Sequence, residues 1–415
     1  MKTSTLQIKE ERLWSTIDVS ASIGGTDHHG LHRLALSKED KKMRETFIQW
    51  LEAENLTVRI DDFGNIYGRR EGKNDNAPAV ATGSHLDTQP YGGRFDGVVG
   101  VLSALEVIRV LNENNMETEH PIEIINFTNE EGARFGPPML GSGGVTGAFT
   151  KEFVYKTQDA KGVSYEQALI ETGFQGKQQN RIQNIKNFVE LHIEQGPILE
   201  SREKQIGVVQ GIQGMSWLSV TVKGEANHAG PTPMENRKDA LAPAAKMISA
   251  VQEFTGEHSG LKTTVGKMDI TPNVPNVIPG EVVFTVDIRH QSDSIRRSAT
   301  ESLKERMSAI ASNNNVDITI VTEWESDAVQ FSTEVIESVE RGIDNRDYSS
   351  MELFSGPGHD AKYMAGVAET GMIFIPSKDG ISHNEAEFSK KEDIAKGTTV
   401  LLEVIYDLAK AKNIL

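Results

Sequence analysis

His85-Leu86-Asp87, Asp96, Glu130-Glu131, His192-Ile193-Glu194 and His383 are imidazoles and carboxylates of the kind that hold first-row divalent cations. In the pair His85 and Asp87, the carboxylate is expected to take the imidazole N–H, fix its tautomer and sharpen the other nitrogen as a donor. Asp96 stands among Gly92, Gly93 and Gly97, on what reads as a flexible turn that lets its carboxylate approach the same ion closely. His85, Asp96, Glu131, His192 and His383 together make a ligand set too large for one open zinc site. Two ions sharing a bridging carboxylate accommodate them, with Asp96 as the expected bridge. Ions about 3.5–4 Å apart hold and acidify one water between them. Glu130 and Glu131, adjacent at a strand end, point in different directions. One can ligate while the other waits as general base. Glu-Glu is ordinarily a solvated pair, so the reading depends on the other strand ends.

Those strand ends follow from the apolar pattern. Ala79-Val80-Ala81 is the end of a buried strand, broken by Gly83, Ser84 and Pro90 just where His85 and Asp87 appear. Ile122 to Phe127 is a second strand, running into Thr128-Asn129-Glu130-Glu131-Gly132. A third, from Phe188, delivers His192 and Glu194 and stops at Gly196-Pro197. A fourth, Met372 to Pro376, precedes Gly380-Ile381-Ser382-His383-Asn384. Helical spacing over Ser37–Glu54 and Val98–Val110, with short strands at 56–60 and 64–68, completes an α/β pattern. Open sheets of this class place ligands at the carboxyl ends of their strands. The stretch 150–186 is polar, helical or looped.

From about Gly211 the texture changes. Strand 217–222, helix 239–254, strands 264–268 and 282–288, helix 294–311 and strand 316–321 give the order β-α-β-β-α-β of a ferredoxin-like sandwich. The expected division is 1–211 and 328–415 for a catalytic domain, with 212–327 inserted. Edge strands of a four-stranded sheet invite pairing between subunits, so a homodimer through the insert is expected. A helix over 333–344 returns the chain to the first domain.

The 415 residues leave room for two or three domains. A net charge of −17 and a pI near 5.2 argue against nucleic acid or an anionic membrane as partner. With no cysteine, disulfides, thiolate nucleophiles and Cys-ligated zinc are excluded. The N-terminal residues are too polar for a signal peptide, and no apolar run reaches the length of a membrane span. A cytoplasmic location is therefore expected. His28, His29, His32, His120 and His258 stand in no motif and read as surface histidines.

The motif stretches 83–97, 129–135, 190–197, 227–234 (Asn-His-Ala-Gly-Pro-Thr-Pro-Met), 275–280, 287–290 and 381–384 resemble the M20-type metallo-aminoacylase superfamily. Within it they are similar to the group of N-carbamoyl-L-amino acid hydrolases, β-ureidopropionases and allantoate amidohydrolases. The resemblance spans nearly the whole chain in order. It implies a di-metal α/β catalytic domain with a lid and dimerisation insert, and two divalent ions per subunit (Zn, Mn, Co or Ni). Asp96 would bridge, with His85, Glu131, His192 and His383 completing the set, Asp87 behind them and Glu130 as base. It further implies that His228 stabilises the oxyanion and that Arg289, supported by Asn276, binds a substrate carboxylate. Gln195 and the backbone at Gly358 would meet a ureido group. The reaction implied is hydrolysis of N-carbamoyl-L-amino acids to amino acid, carbon dioxide and ammonia. Residues 87–90 and 132–135 favour the carbamoyl-amino-acid and ureidopropionate members over the allantoate ones. A metal-binding scaffold without turnover is the other class, and it would have no use for Glu130.

Overall fold

A computed structural model describes residues 6–411. Two compact units result, 6–210 with 331–411 and 211–330. In the first, the sheet runs Thr57–Ile60, Ile66–Arg70, Ile122–Phe127, Ala79–His85, Ile185–Ile193, Glu369–Ile375, Ile206–Ile212, with Ser350–Ser355 also paired to the last of these. The middle strands, from Ile122–Phe127 to Glu369–Ile375, are mutually parallel. Their register sets His85 opposite Phe127 and Ile375 opposite Ile193, so their carboxyl ends reach one edge. That shared edge is what gathers the polar strand ends.

The strands Ala79–His85 and Ile122–Phe127 are buried at every residue, as parallel strands covered on both faces are. The helices Asp96–Glu113 and Lys391–Ala409 pack on each other and on this sheet. Val98, Val101, Leu102, Leu105, Val400, Leu401 and Ile405 are fully buried there. Helix Lys38–Ala53 begins as the pattern predicts, with the Ser37 side chain accepting from the Asp40 N–H, a cap that contributes about 1 kcal/mol.

Several elements escaped the sequence pattern. Helix Glu10–Ala21 precedes the one at Ser37, and its buried stripe is half polar (Leu13, Thr16, Ile17, Ser20), which blurs the apolar period. The closing helix Lys391–Ala409 and the strands Ile206–Ile212 and Ser350–Ser355 were also unread. The stretch 150–186 forms short helices, Lys151–Lys156 and Tyr165–Thr172.

The second unit has a sheet in the order Met268–Thr271, Glu281–His290, Gly214–Lys223, Asp317–Ser326, all antiparallel. Helices Leu241–Glu257 and Asp293–Asn313 cover one face, and Leu218, Val220, Val222, Phe284, Val286 and Leu303 fill the core between. This is the β-α-β-β-α-β sandwich. The strand expected at 264–268 is instead a break. Lys262–Thr264 and Met268–Thr271 pair separately with Glu281–His290, and Val265–Lys267 lies between them. Trp217 and Val321, about half exposed, and Trp324 remain on the sheet.

Candidate metal centre

The strand Ala79–His85 ends by burying His85, and Ile185–Ile193 buries His192 near its own end. Each ring has its Nδ1 at 2.9 Å from a backbone carbonyl, that of Asp87 for His85 and of Ile193 for His192. Nδ1 therefore carries a proton, and Nε2 is the atom each ring would turn to a cation. His85 Nε2 is buried and has no hydrogen-bond partner, an orphaned lone pair that a cation would satisfy.

Asp96 lies between the imidazoles. Its Oδ1 is 3.0 Å from His192 Nε2 and 3.7 Å from His85 Nε2, and its Oδ2 is 3.5 Å from His383 Nε2. His383 Nε2 is also 3.3 Å from a Glu131 oxygen. Two ligand groups result, His85–Asp96–His192 and Asp96–Glu131–His383, each with donor atoms within 4.8 Å of one another. They share Asp96. Nitrogen and oxygen donors in these two sets fit a pair of divalent cations bridged by one carboxylate. Glu130 sits beside the first set, its Oε2 at 3.4 Å from His85 Nε2.

The electrostatics fit the same occupant. Burial, then the charges of Asp360, Glu131, Asp96 and Asp87, push the Glu130 carboxyl well above the usual range. Burial, then Asp96 and Asp87, raises Glu131 likewise. Burial lowers His85 to about 4, whereas for His192 it is outweighed by the hydrogen bond and charge of Asp96, which carry the ring up to about 8. So many buried carboxylates at one edge call for compensating positive charge.

Two expectations need correction. Asp96 is not on a flexible turn: it is the first residue of the 18-residue helix Asp96–Glu113, so its carboxylate projects from a rigid element. Gly97 is required for a different reason, since a Cβ there would lie 2.2 Å from His85 Nε2. Nor does the Asp87 carboxylate take the imidazole N–H, which goes to the Asp87 carbonyl. The carboxylate instead accepts from the backbone N–H of Asn129 (3.1 Å), Glu130 and Glu131 (both 3.4 Å). It shapes the turn that presents the two glutamates. Asp87→Ala would strand these buried donors at about 1–3 kcal/mol each where no water replaces the carboxylate. The expected cost is at least about 3 kcal/mol, read as a lower thermal unfolding midpoint, with activity lost alongside; an unchanged midpoint would reject this role.

Gln195 joins the cluster. Its Nε2 lies 3.3–3.4 Å from both Asp96 oxygens and 3.2 Å from Ser382 Oγ. Gly358 lies on the loop before His359, where an added Cβ would touch Met139. His228, Asn276 and Arg289 belong to the second unit. His228 and Asn276 are exposed neighbours on a small two-stranded antiparallel ladder, where Val277 pairs with His228 and the Ala229 N–H reaches the Asn276 carbonyl at 2.9 Å. Arg289 is half-buried, its guanidinium held by Asp287 at 2.8–3.1 Å. Of the motif-free histidines, His28 and His29 are exposed, whereas His32, His120 and His258 are half-buried.

Sequence reasoning missed the supports. Gln89 holds the Glu131 carboxylate through its backbone N–H and its side-chain amide, at 3.1 and 2.8 Å. The His359 ring packs against that of His192, centroids 4.4 Å apart. Glu190 lies within ligand distance of both rings, but its oxygens are taken by Ser84 Oγ (2.6 Å) and the Ala361 N–H (3.0 Å). With its oxygens so engaged, it acts on His192 through its charge, which raises the ring's pKa. Its signal was available, because Glu190 and His192 are two apart on one strand and share a face. Glu387 is buried against the Asp96 backbone with nothing in its local sequence to mark it.

Comparison with known proteins identifies the chain's relatives. The family model described as Peptidase family M20/M25/M40 matches residues 81–407. An N-carbamoyl-L-amino-acid amidohydrolase of Rhizobium meliloti is 40% identical over 405 residues, covering 97% of each chain. The allantoate amidohydrolase of Escherichia coli (strain K12) is 35% identical over 400 residues, 96% of this chain and 97% of that one. A crystal structure of an amidase of the hydantoinase/carbamoylase family from Burkholderia multivorans superposes with a TM-score of 0.95 at 41% identity, covering 98% of this chain and 99% of that chain. The chain belongs to the M20/M25/M40 peptidase family.

Proposed function

We propose that the protein is a metal-dependent amidohydrolase that cleaves the N-carbamoyl group of N-carbamoyl-L-amino acids. The observation that carries the chemistry is one carboxylate, Asp96, shared between two ligand sets with Glu130 beside them. The substrate class is supported by N-carbamoyl-L-amino-acid amidohydrolases 36–40% identical over nearly the whole chain. Allantoate is the second reading, because allantoate amidohydrolases are 33–35% identical over a similar span.

His85, Asp96 and His192 would hold one cation and Asp96, Glu131 and His383 the other; Zn, Mn, Co and Ni all suit these donors. When bound, the ions supply Lewis acidity and lower the pKa of water. Glu130 takes a proton from the attacking water as its oxygen bonds to the carbamoyl carbon. The same carboxyl returns the proton to the amino-acid nitrogen as the C–N bond breaks. The products are the amino acid and carbamate, which decays to carbon dioxide and ammonia. His228 donates to the developing oxyanion. Arg289, with Asn276, engages the substrate carboxylate. Gln195 and the Gly358 backbone meet the ureido group. The second unit serves as the homodimer contact, a role supported by its edge strand Asp317–Ser326 and the exposed Trp217 and Val321. No described helix is long and apolar enough to cross a membrane.

The test is ammonia release from N-carbamoyl-L-amino acids, N-carbamoyl-β-alanine and allantoate by metal-free protein reloaded with single ions. Carbamoyl-L-amino acids are expected to give the highest kcat/KM. Faster turnover of allantoate would replace this reading by the second, and no release from any of them would overturn both.

A further inference from the structure

We propose that Glu387 is the positioning residue that locks together the Asp96–His383 half of the metal centre, so that its loss weakens the His383 cation position more than the other; this rests on the two-cation reading above. Helix Asp96–Glu113 has no side-chain cap from its own N-cap residue, Phe95. Glu387 supplies one from far along the chain. Its Oε1 accepts from the backbone N–H of both Phe95 and Asp96, each at 3.1 Å. A carboxylate there satisfies otherwise open donors and complements the helix dipole.

The other oxygen faces the opposite way. Oε2 accepts from Ser382 Oγ at 2.9 Å, and Ser382 Oγ in turn receives the Gln195 amide at 3.2 Å. One buried carboxylate therefore ties the backbone of the shared ligand to the residue preceding His383. The seat is cut for it: a Cβ on Gly93 would lie 1.9 Å from Glu387 Oε1.

The two halves of the centre differ in how much they need such a tie. His85 and His192 have side chains 1% exposed, end in regular strands, and are each fixed through Nδ1. His383 is 49% exposed, sits at φ +54° in a loop, and its Nδ1 makes no hydrogen bond among the described residues. Its position depends on the turn that follows, where the Ala386 N–H meets Asn384 Oδ1 and the Glu387 N–H meets the Asn384 carbonyl. Glu387 anchors the end of that turn to the helix bearing Asp96.

Calorimetric titration of metal-free protein with Mn²⁺ tests this through binding rather than turnover. Wild type is expected to show two binding steps. E387A should weaken one step about 10–100-fold, the range for lost support of a metal ligand, and affect the other clearly less. H383A should abolish the step that E387A weakens most. E387Q keeps an acceptor for the helix N–H groups and a partner for Ser382, and should restore most of the affinity. S382A should weaken the same step by less. If E387A does not fold, S382A and E387Q carry the test: S382A with both steps unchanged overturns the proposal. E387A that folds and binds both ions as wild type does, or weakens both steps equally, also overturns it. Wild type that takes a single ion overturns the two-cation reading itself, and this proposal with it.

Discussion

Glu130→Gln is expected to lower kcat for ammonia release by about 10²–10⁴-fold, the span that a positioned general acid–base contributes, while KM and metal content stay near wild type. The substitution is nearly isosteric and removes only the capacity to accept and return a proton. Glu130 is 7% exposed, and the Asp87 carboxylate accepts from its backbone N–H, so the amide variant inherits the same placement. Adjacent Glu131 gives the contrasting result. Its carboxylate falls in the ligand group with Asp96 and His383, so Glu131→Gln should reduce metal content as well as rate. The pH profile supplies a second signature. Base catalysis needs the Glu130 carboxylate, so activity should rise with pH through its pKa, and that acid limb should vanish in the Gln variant. Elemental analysis beside single-turnover kinetics checks both parts. A Gln variant with wild-type rate, or one that loses its metal, would show that Glu130 is not the base.

How legible this was depends on whether each residue's role is written locally. His85, Glu130, Glu131 and His192 were readable because apolar runs stop abruptly at polar residues, and parallel register then carries those ends to one edge. Asp96 was marked by its residue type, and its setting is different from the one its neighbours suggest. Glycines around a carboxylate suggest a loose turn, whereas Gly97 is helical and small because the His85 ring packs on it. Asp87 was placed behind the ligands, but its carboxylate serves backbone N–H groups more than 40 residues away, which no spacing rule encodes. Glu387 was invisible for the same reason, since its partners at Phe95 and Asp96 are nearly 300 residues distant. In the second unit, alternation marked the long strands, but the short run from 262 to 271 hid a break that only pairing with Glu281–His290 defines.

Asp96→Ala should remove both cation positions together, whereas His192→Ala or His383→Ala should each remove one. Asp96 is the only residue common to the two ligand sets, with Oδ1 directed at His85 and His192 and Oδ2 at His383. Without it each set retains two donors, fewer than the three or four protein ligands that divalent sites ordinarily use. The expected result is no bound ion at micromolar metal and turnover at background. The metal-free protein offers a readout independent of turnover. The hydrogen bond and charge of Asp96 carry the His192 imidazole to about 8 against burial, above the ordinary 6.5. A raised imidazole pKa contributes stability that is full below about 6.5 and lost as pH rises through about 8, on the order of 2 kcal/mol. Burial raises Asp87 and Glu387 to about 7, and buried acids raised in this way lose stability in the same direction. Metal-free wild type should therefore have a lower unfolding midpoint at pH 9 than at pH 6.5, and the His192 share of that slope should disappear in Asp96→Ala. Cations act with the opposite sign, because every ligand must be deprotonated to bind, so their stabilisation grows with pH. The loaded wild type should then show a pH slope flattened or reversed relative to the metal-free form. Asp96→Ala should show no such difference on adding metal. An Asp96→Ala protein that still gains stability from added cation would mean that Asp96 is not the shared ligand.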